Sequence, residues 1–159
     1  MTLKMKPLEL VKVLSRGKAG SVVRRHKDSI IIGADTFIAY KNHIIGKPHT
    51  SQKAKATLRM LSGKTHSVIT GYTIIDTKTH KSVSRAYESK VSFRKMTPHE
   101  ISAYVKTREP LERGGGYAIQ DIGSIFIKKI EGDFFGIMGL PICALIQDLK
   151  KFGVKVLAL

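Results

Sequence analysis

Cysteine is nearly missing from this chain. Cys143 is the only one, so no intrachain disulfide can form, and a reducing compartment is expected. It stands in the apolar run from Phe134 to Ile146, where a buried, inert thiol is expected and a nucleophile is not. Long hydrophobic runs are missing as well. That same stretch is too short to span a bilayer and is broken by Gly136, Gly139 and Pro141. Residues 1–10 carry Lys4, Lys6 and Glu9 and no apolar signal core, so a cytoplasmic protein away from the membrane is expected. Acidic side chains are scarce: 12 Asp plus Glu stand against 28 Lys plus Arg, a net charge of +16. Such an excess favours polyanionic partners, namely nucleotides, nucleic acid or an anionic surface. The positive charge is spread from end to end, which does not mark a nucleic-acid module. Zinc-ligand spacing, an RNA-reading aromatic motif and a basic zipper are all lacking. Gly46-Lys47 does not close a phosphate-binding loop, and Gly114 to Gly116 does not open a helix as a dinucleotide fingerprint does. His26, His43, His49, His66, His80 and His99 fall in turns or at element ends, where solvated side chains are expected, not metal ligands.

What remains is a chain of 159 residues, 42% hydrophobic, long enough for one domain (residues 1–159) or two small lobes with a sizeable core. Its centre is the stretch from Ile30 to Pro48. The β-branched run Ile30 to Ile32 reads as a strand buried on both faces. Asp35 follows it closely, and a carboxylate there requires a cleft, a cation or a hydrogen-bonding partner. The chain turns at Lys41-Asn42-His43 and returns through Ile44-Ile45, a hairpin that brings Lys47 back toward Asp35. Upstream, Pro7 to about His26 reads as a helix whose apolar stripe is Leu8, Val11, Leu14 and Val22, with Lys18 on the same stripe. Downstream, Thr50 or Ser51 caps a helix with Ala54, Leu58 and Leu61 on one face and Gly63 at its end. Ser67–Ile75 and Ser82–Phe93 read as strands. Thr97-Pro98-His99-Glu100 is a capping box for a helix reaching Lys106. Glu109 to Gln120, with three consecutive glycines, is a loop whose backbone amides can converge on an anion. Ile122–Ile130 reads as a strand, Leu140–Phe152 as the last helix, and Val154–Leu159 as a short terminal strand. The order predicts an α/β protein with a mixed sheet.

No local motif names a chemistry, but Lys18, Asp35, Lys47, Arg113 and Gln120 form a dispersed set suited to phosphoanhydride hydrolysis. Lysines neutralise charge developing on phosphoryl oxygens, and one carboxylate orients water or anchors magnesium beside substrate phosphates.

Short motifs in collinear order then carry a resemblance. Leu14-Ser15-Arg16-Gly17-Lys18-Ala19, Gly33-Ala34-Asp35-Thr36, Gly46-Lys47-Pro48 and Leu61-Ser62-Gly63 with His66 and Thr70-Gly71 resemble segments of the Maf nucleotide pyrophosphatases. So do Arg113-Gly114-Gly115-Gly116-Tyr117-Ala118-Ile119-Gln120, Gly132-Asp133 and Gly139-Leu140-Pro141. The resemblance implies a two-lobed α/β fold similar to the inosine triphosphate pyrophosphatases, a mixed sheet flanked by helices with a central cleft. It implies hydrolysis of nucleoside triphosphates to the monophosphate and pyrophosphate with Mg2+ or Mn2+, often by a homodimer. Asp35 matches the proposed base or metal ligand, Lys18 and Lys47 match phosphate-holding lysines, and Gln120 lines the site; Thr36 and Arg113 join the substrate-binding set. The Ala-Asp-Thr motif and the His66 block resemble the branch acting on dTTP and UTP. The family's first strand and its Ser-x-Ser-x-Arg-Arg phosphate loop have no counterpart here, since Arg24-Arg25 follows the first helix. The alternative expectation is therefore a truncated or degenerate, non-catalytic homologue that binds nucleotide or nucleic acid.

Overall fold

The computed structural model of the chain describes residues 5–41 and 43–157. Five helices and five strands follow in the order α1 (Pro7–Val23), β1 (Ile30–Tyr40), β2 (His43–Ile45), α2 (Ser51–Leu61), β3 (Thr65–Asp76), β4 (Ser82–Phe93), α3 (Pro98–Lys106), β5 (Ile127–Glu131), α4 (Phe134–Met138) and α5 (Ile142–Lys150). The strands form one sheet in the order β2-β1-β3-β4-β5. The α/β class is as expected; the strand directions differ from a mixed sheet. β1 runs antiparallel to β2, with Ile38 opposite Ile45 and Tyr40 opposite His43, and β4 runs antiparallel to β5. Between β1 and β3, Thr77 donates its N–H to Ser29 (3.0 Å) while Thr36 meets Thr70, so these two also run in opposite directions. Between β3 and β4, Asp76 bonds Lys81 at the turn and Phe93 bonds Lys64 at the far end, both at 2.9 Å. Short turns link β1 to β2 and β3 to β4, and such turns can join only antiparallel neighbours.

The chain divides into two compact units, and each is described by itself. The first holds Phe37–Val68 and Ser89–Gly132. Its core is the inward face of α2, Ala54, Leu58 and Leu61, with Val91, Phe93, Ile101, Tyr104, Val105 and Phe126. α2 starts where Thr50 accepts the N–H of Lys53 and stops before Gly63, which takes a positive φ of 66°. α3 starts on the full capping box of Thr97 and Glu100. The second unit holds Met5–Thr36, Ile69–Glu88 and the chain from Asp133 on. Here Tyr72, Ile74 and Leu145 centre an apolar cluster with Ile30, Ala34, Val83, Tyr87, Leu149 and Phe152 around it. Asp148 fastens α5 to the sheet, accepting from Tyr72 (2.9 Å), Arg85 (2.8 Å) and Lys151 (2.7 Å). No helix among the described residues is long and apolar enough to cross a membrane.

Several expectations need correction. The buried stripe of α1 is Val11, Ser15 and Ala19, while Leu8 and Leu14 are each 39% exposed. Small residues line the inward face because the sheet backbone comes so close there. Ile32 is 43% exposed, and β1 is not buried on both faces along its first half, since β2 reaches only as far as Ile38. Ile122–Phe126 is a 3-10 turn, not strand, and β5 begins only at Ile127. The expected last helix is present as α5, and a short helix not expected from the sequence, α4, precedes it, ended by Gly139 at φ 121°. Cys143 is exposed, because α5 turns Leu145 and Asp148 inward and Cys143 lies on the opposite side. Residues 154–157 form no strand; 158 and 159 lie outside the described residues, as does Asn42 of the β1–β2 turn.

Candidate active site

The expected site residues fall into two clusters, each within one unit. The first is built by the approach of α1 to β1. A Cβ on Gly33 would stand 2.5 Å from the amide nitrogen of Ala19 and 2.6 Å from the carbonyl oxygen of Ser15, so only glycine allows this contact. Gly71 on β3 does the same beneath Val11, where a Cβ would be 2.9 Å from the Val11 carbonyl. With α1 seated this way, Lys18 reaches Asp35, two residues beyond Gly33, and their side chains form a direct ion pair. Asp35 is mostly covered, its side chain 20% exposed, whereas that of Lys18 is 57% exposed. The ammonium is thus free to swing away from a carboxylate held by the strand.

Thr36 points its hydroxyl the other way. Thr70 donates to the carbonyl of Gly136 at 2.7 Å, so the 2.8 Å contact between the two threonines has Thr36 as donor. Thr36 therefore ties β1 to β3 and has only lone pairs left to offer a substrate.

The second cluster is laced by backbone. Gly115 donates its N–H to Gly46 (3.2 Å), and His49 donates its N–H to Leu111 (2.9 Å). These bonds set the segment Gly46–His49 alongside residues 111–115 and put Lys47 and Arg113 on neighbouring stretches of chain. The glycines are required: Gly115 and Gly116 take φ of 70° and 74°, and a Cβ on Gly115 would be 2.4 Å from Ile38 Cδ1. Each basic side chain here faces a carboxylate. Lys47 is 3.9 Å and His49 3.2 Å from Glu112, and Arg113 donates to Asp121 at 3.1 Å. Gln120 is exposed.

Three residues escaped the sequence reading. Glu112 and Asp121 are the counter-ions just named. His66 is 3% exposed, not solvated: its Nε2 lies 2.7 Å from the Tyr117 hydroxyl, and the rings of Phe93 and Tyr117 pack edge-on against it. Its Nδ1 is buried without a hydrogen-bond partner. Burial lowers its pKa to about 4, so the imidazole is neutral at physiological pH. The signal was available in the alternation Thr65-His66-Ser67-Val68, which puts His66 on the face of the buried Val68. The other histidines, His26, His43, His49, His80 and His99, are exposed as expected.

Among the described residues no group of three or more His, Cys, Asp or Glu gathers to hold a metal. A lone carboxylate beside mobile cations suits a polyphosphate, which brings its own metal ligands.

A family model described as Maf-like protein matches residues 2–152. A dTTP/UTP pyrophosphatase of Bacillus cereus (strain G9842) is 42% identical over 150 residues, covering 94% of this chain and 78% of the relative. Proteins of the same name from Bacillus cereus (strain AH820) and Bacillus anthracis are 43% identical over the same shares.

Proposed function

The chain belongs to the Maf-like protein family, and from that premise we propose that it is a nucleoside triphosphate pyrophosphatase. Its substrates are dTTP, UTP or modified pyrimidine nucleotides, and its products are the monophosphate and pyrophosphate. The observation that carries this reading is the Lys18–Asp35 pair, held by the glycine contact of Gly33 with α1.

The geometry supports the following roles. Asp35, fixed by its strand and largely shielded, accepts a proton from the water that attacks the α-phosphorus. Lys18 pairs with that carboxylate before substrate arrives, and its half-exposed ammonium then turns to a phosphate oxygen. Lys47 and Arg113 exchange Glu112 and Asp121 for phosphate oxygens. Exposed ion pairs of this kind are worth about 0–1 kcal/mol, so a multiply charged triphosphate displaces them easily. Gln120 adds an amide to the nucleotide. Asp35 fits a divalent cation, Mg2+ or Mn2+, because magnesium uses one or two carboxylates together with substrate phosphates. When bound, such an ion neutralises charge that builds on the phosphoryl oxygens.

The test is pyrophosphate release from a panel of nucleoside triphosphates with Mg2+ or Mn2+. Turnover of dTTP and UTP above the purine nucleotides is expected. Asp35→Asn should lower kcat at least about 100-fold with an unchanged melting transition. A wild-type rate in that variant removes the role of Asp35. Nucleotide binding without turnover of any triphosphate overturns the enzymatic reading.

A further inference from the structure

Acids and bases are not evenly matched along this molecule. Between Asp35 and Asp76 the chain has no Asp or Glu, yet carries Lys41, Lys47, Lys53, Lys55, Arg59 and Lys64. Elsewhere cations are answered by carboxylates: Lys12 by Glu9, Lys78 by Asp28, Arg85 and Lys151 by Asp148, Arg94 by Glu100 and Lys129 by Glu131. Among the described residues no carboxylate pairs with Lys53, Lys55, Arg59 or Lys64.

α2 concentrates this imbalance. Its apolar residues Ala54, Leu58 and Leu61 are wholly buried, and the charges flank that stripe, Lys53 on one side and Lys55 with Arg59 on the other. Lys55 and Arg59 are four residues apart, a like-charge spacing that destabilises a helix. Lys53 lines a groove of about 400 Å³ with His43, Lys47, Thr57 and Met60. Beyond the helix end, Lys95 lies over Gly63, its Cγ 3.1 Å from where a Cβ would stand, and extends the cationic band past Lys64. Uncompensated like charges along both flanks of a well-formed helix are repulsion that a polyanion relieves.

The occupant can be narrowed. A membrane-binding helix needs a free apolar face, and that of α2 is spent on the core. A single-strand binder needs aromatic platforms for bases, and Ser51–Leu61 contains no aromatic residue. Charge alone, on a straight rod, matches phosphates. At about 1.5 Å per residue, the helix is about 16 Å long, the span of about five phosphates on one strand of a duplex.

We propose that the charged flanks of α2, continued by Lys64 and Lys95, bind the phosphate backbone of duplex nucleic acid without reading its sequence. Lys55 and Arg59 stand apart from the candidate active site, while Lys53 borders it across the groove it shares with Lys47. The test uses the full chain and a short DNA duplex in fluorescence anisotropy, from about 50 to 200 mM NaCl. The variant Lys53→Gln/Lys55→Gln/Arg59→Gln should lower the slope of log affinity against log salt by about 3, near 0.9 per cation. A control of equal charge, Lys27→Gln/Lys78→Gln/Lys150→Gln, should change the slope by less than about 1. Equal losses in the two variants would overturn the proposal in favour of diffuse attraction, and so would absence of duplex binding by the wild type at the lowest salt. Binding to anionic phosphatidylserine vesicles that depends on the α2 cations, with duplex binding indifferent to them, would overturn it as well.

Discussion

His66 is a buried imidazole with one satisfied nitrogen and one unsatisfied, and burial of this kind becomes a pH dependence. Its pKa falls from 6.5 to about 4 on folding, because desolvation penalises the charged ring. A group whose folded pKa is depressed binds more protons unfolded than folded between those values. Stability is therefore fully present above about pH 6.5 and is lost as pH falls toward 4. The loss between pH 7 and 5 should be about 2 kcal/mol. Glu100, lowered from 4.5 to about 2 chiefly by its bond from Arg94, contributes stability that is lost as pH falls from about 4.5 toward 2, so the change between pH 7 and 5 belongs mainly to His66. Urea midpoints at pH 7 and pH 5 check this: His66→Asn should flatten the difference to under about 0.5 kcal/mol. An unchanged pH slope in the variant would assign the effect elsewhere. Residue by residue, the sequence was most legible where chemistry conflicts with surroundings. A carboxylate closely after an isoleucine run required a cleft, a cation or a hydrogen-bonding partner, and Asp35 has the cation Lys18. It was least legible where a polar residue sits inside, because the hydrogen-bond partner of its Nε2, Tyr117, is remote in sequence.

Helix ends were written plainly and helix faces were not. The capping box of α3 and the Thr50 cap of α2 use residues within three positions of each other, and both stand where the sequence places them. The face of α1 was misassigned because what chooses it is not hydrophobicity but clearance. Ser15 and Ala19 face inward so that Gly33 can touch their backbone, and that complementarity joins segments far apart in the chain. The same ambiguity hid α4: Gly136 and Gly139 read as breaks, although Asp133 caps a short helix there by accepting the N–H of Gly136 at 3.1 Å. Two glycines of the second unit should accordingly respond in opposite ways. Gly33→Ala puts its methyl into backbone that cannot yield, which should destabilise by about 1–3 kcal/mol. It should also push Lys18 off Asp35 and lower pyrophosphate release. Gly20→Ala meets nothing within 4 Å on the open side of α1, and should stabilise by about 0.5–1 kcal/mol through helix propensity. Denaturant melts of the two variants read both signs, and a neutral Gly33→Ala would remove the contact from the account of the site.

For the whole molecule, the net charge of +16 is the dominant fact, and its distribution decides how salt acts. Salt screens two opposing contributions: the attraction within ion pairs and the repulsion among like charges. The pairs are mostly exposed, as with Lys78 and Asp28 at 73% and 74%, so each contributes little to begin with. The repulsion is collective, and it is strongest over the span from Lys41 to Lys64, where no acid intervenes. At about 0.1 M salt the Debye length is about 10 Å, shorter than α2 itself, so moderate salt already uncouples most of the band. Repulsion should win, and Tm should rise as NaCl is raised from about 0.02 to 0.3 M, the reverse of a protein held by surface ion pairs. The Lys53, Lys55 and Arg59 glutamine variant should start from a higher Tm at low salt and gain less on adding it. Differential scanning calorimetry across that range decides the matter: a Tm that falls with salt would mean the carboxylate pairs outweigh the unpaired band. A charge pattern that weakens the isolated fold and is relieved by screening is what a surface built to meet phosphates looks like before its ligand arrives.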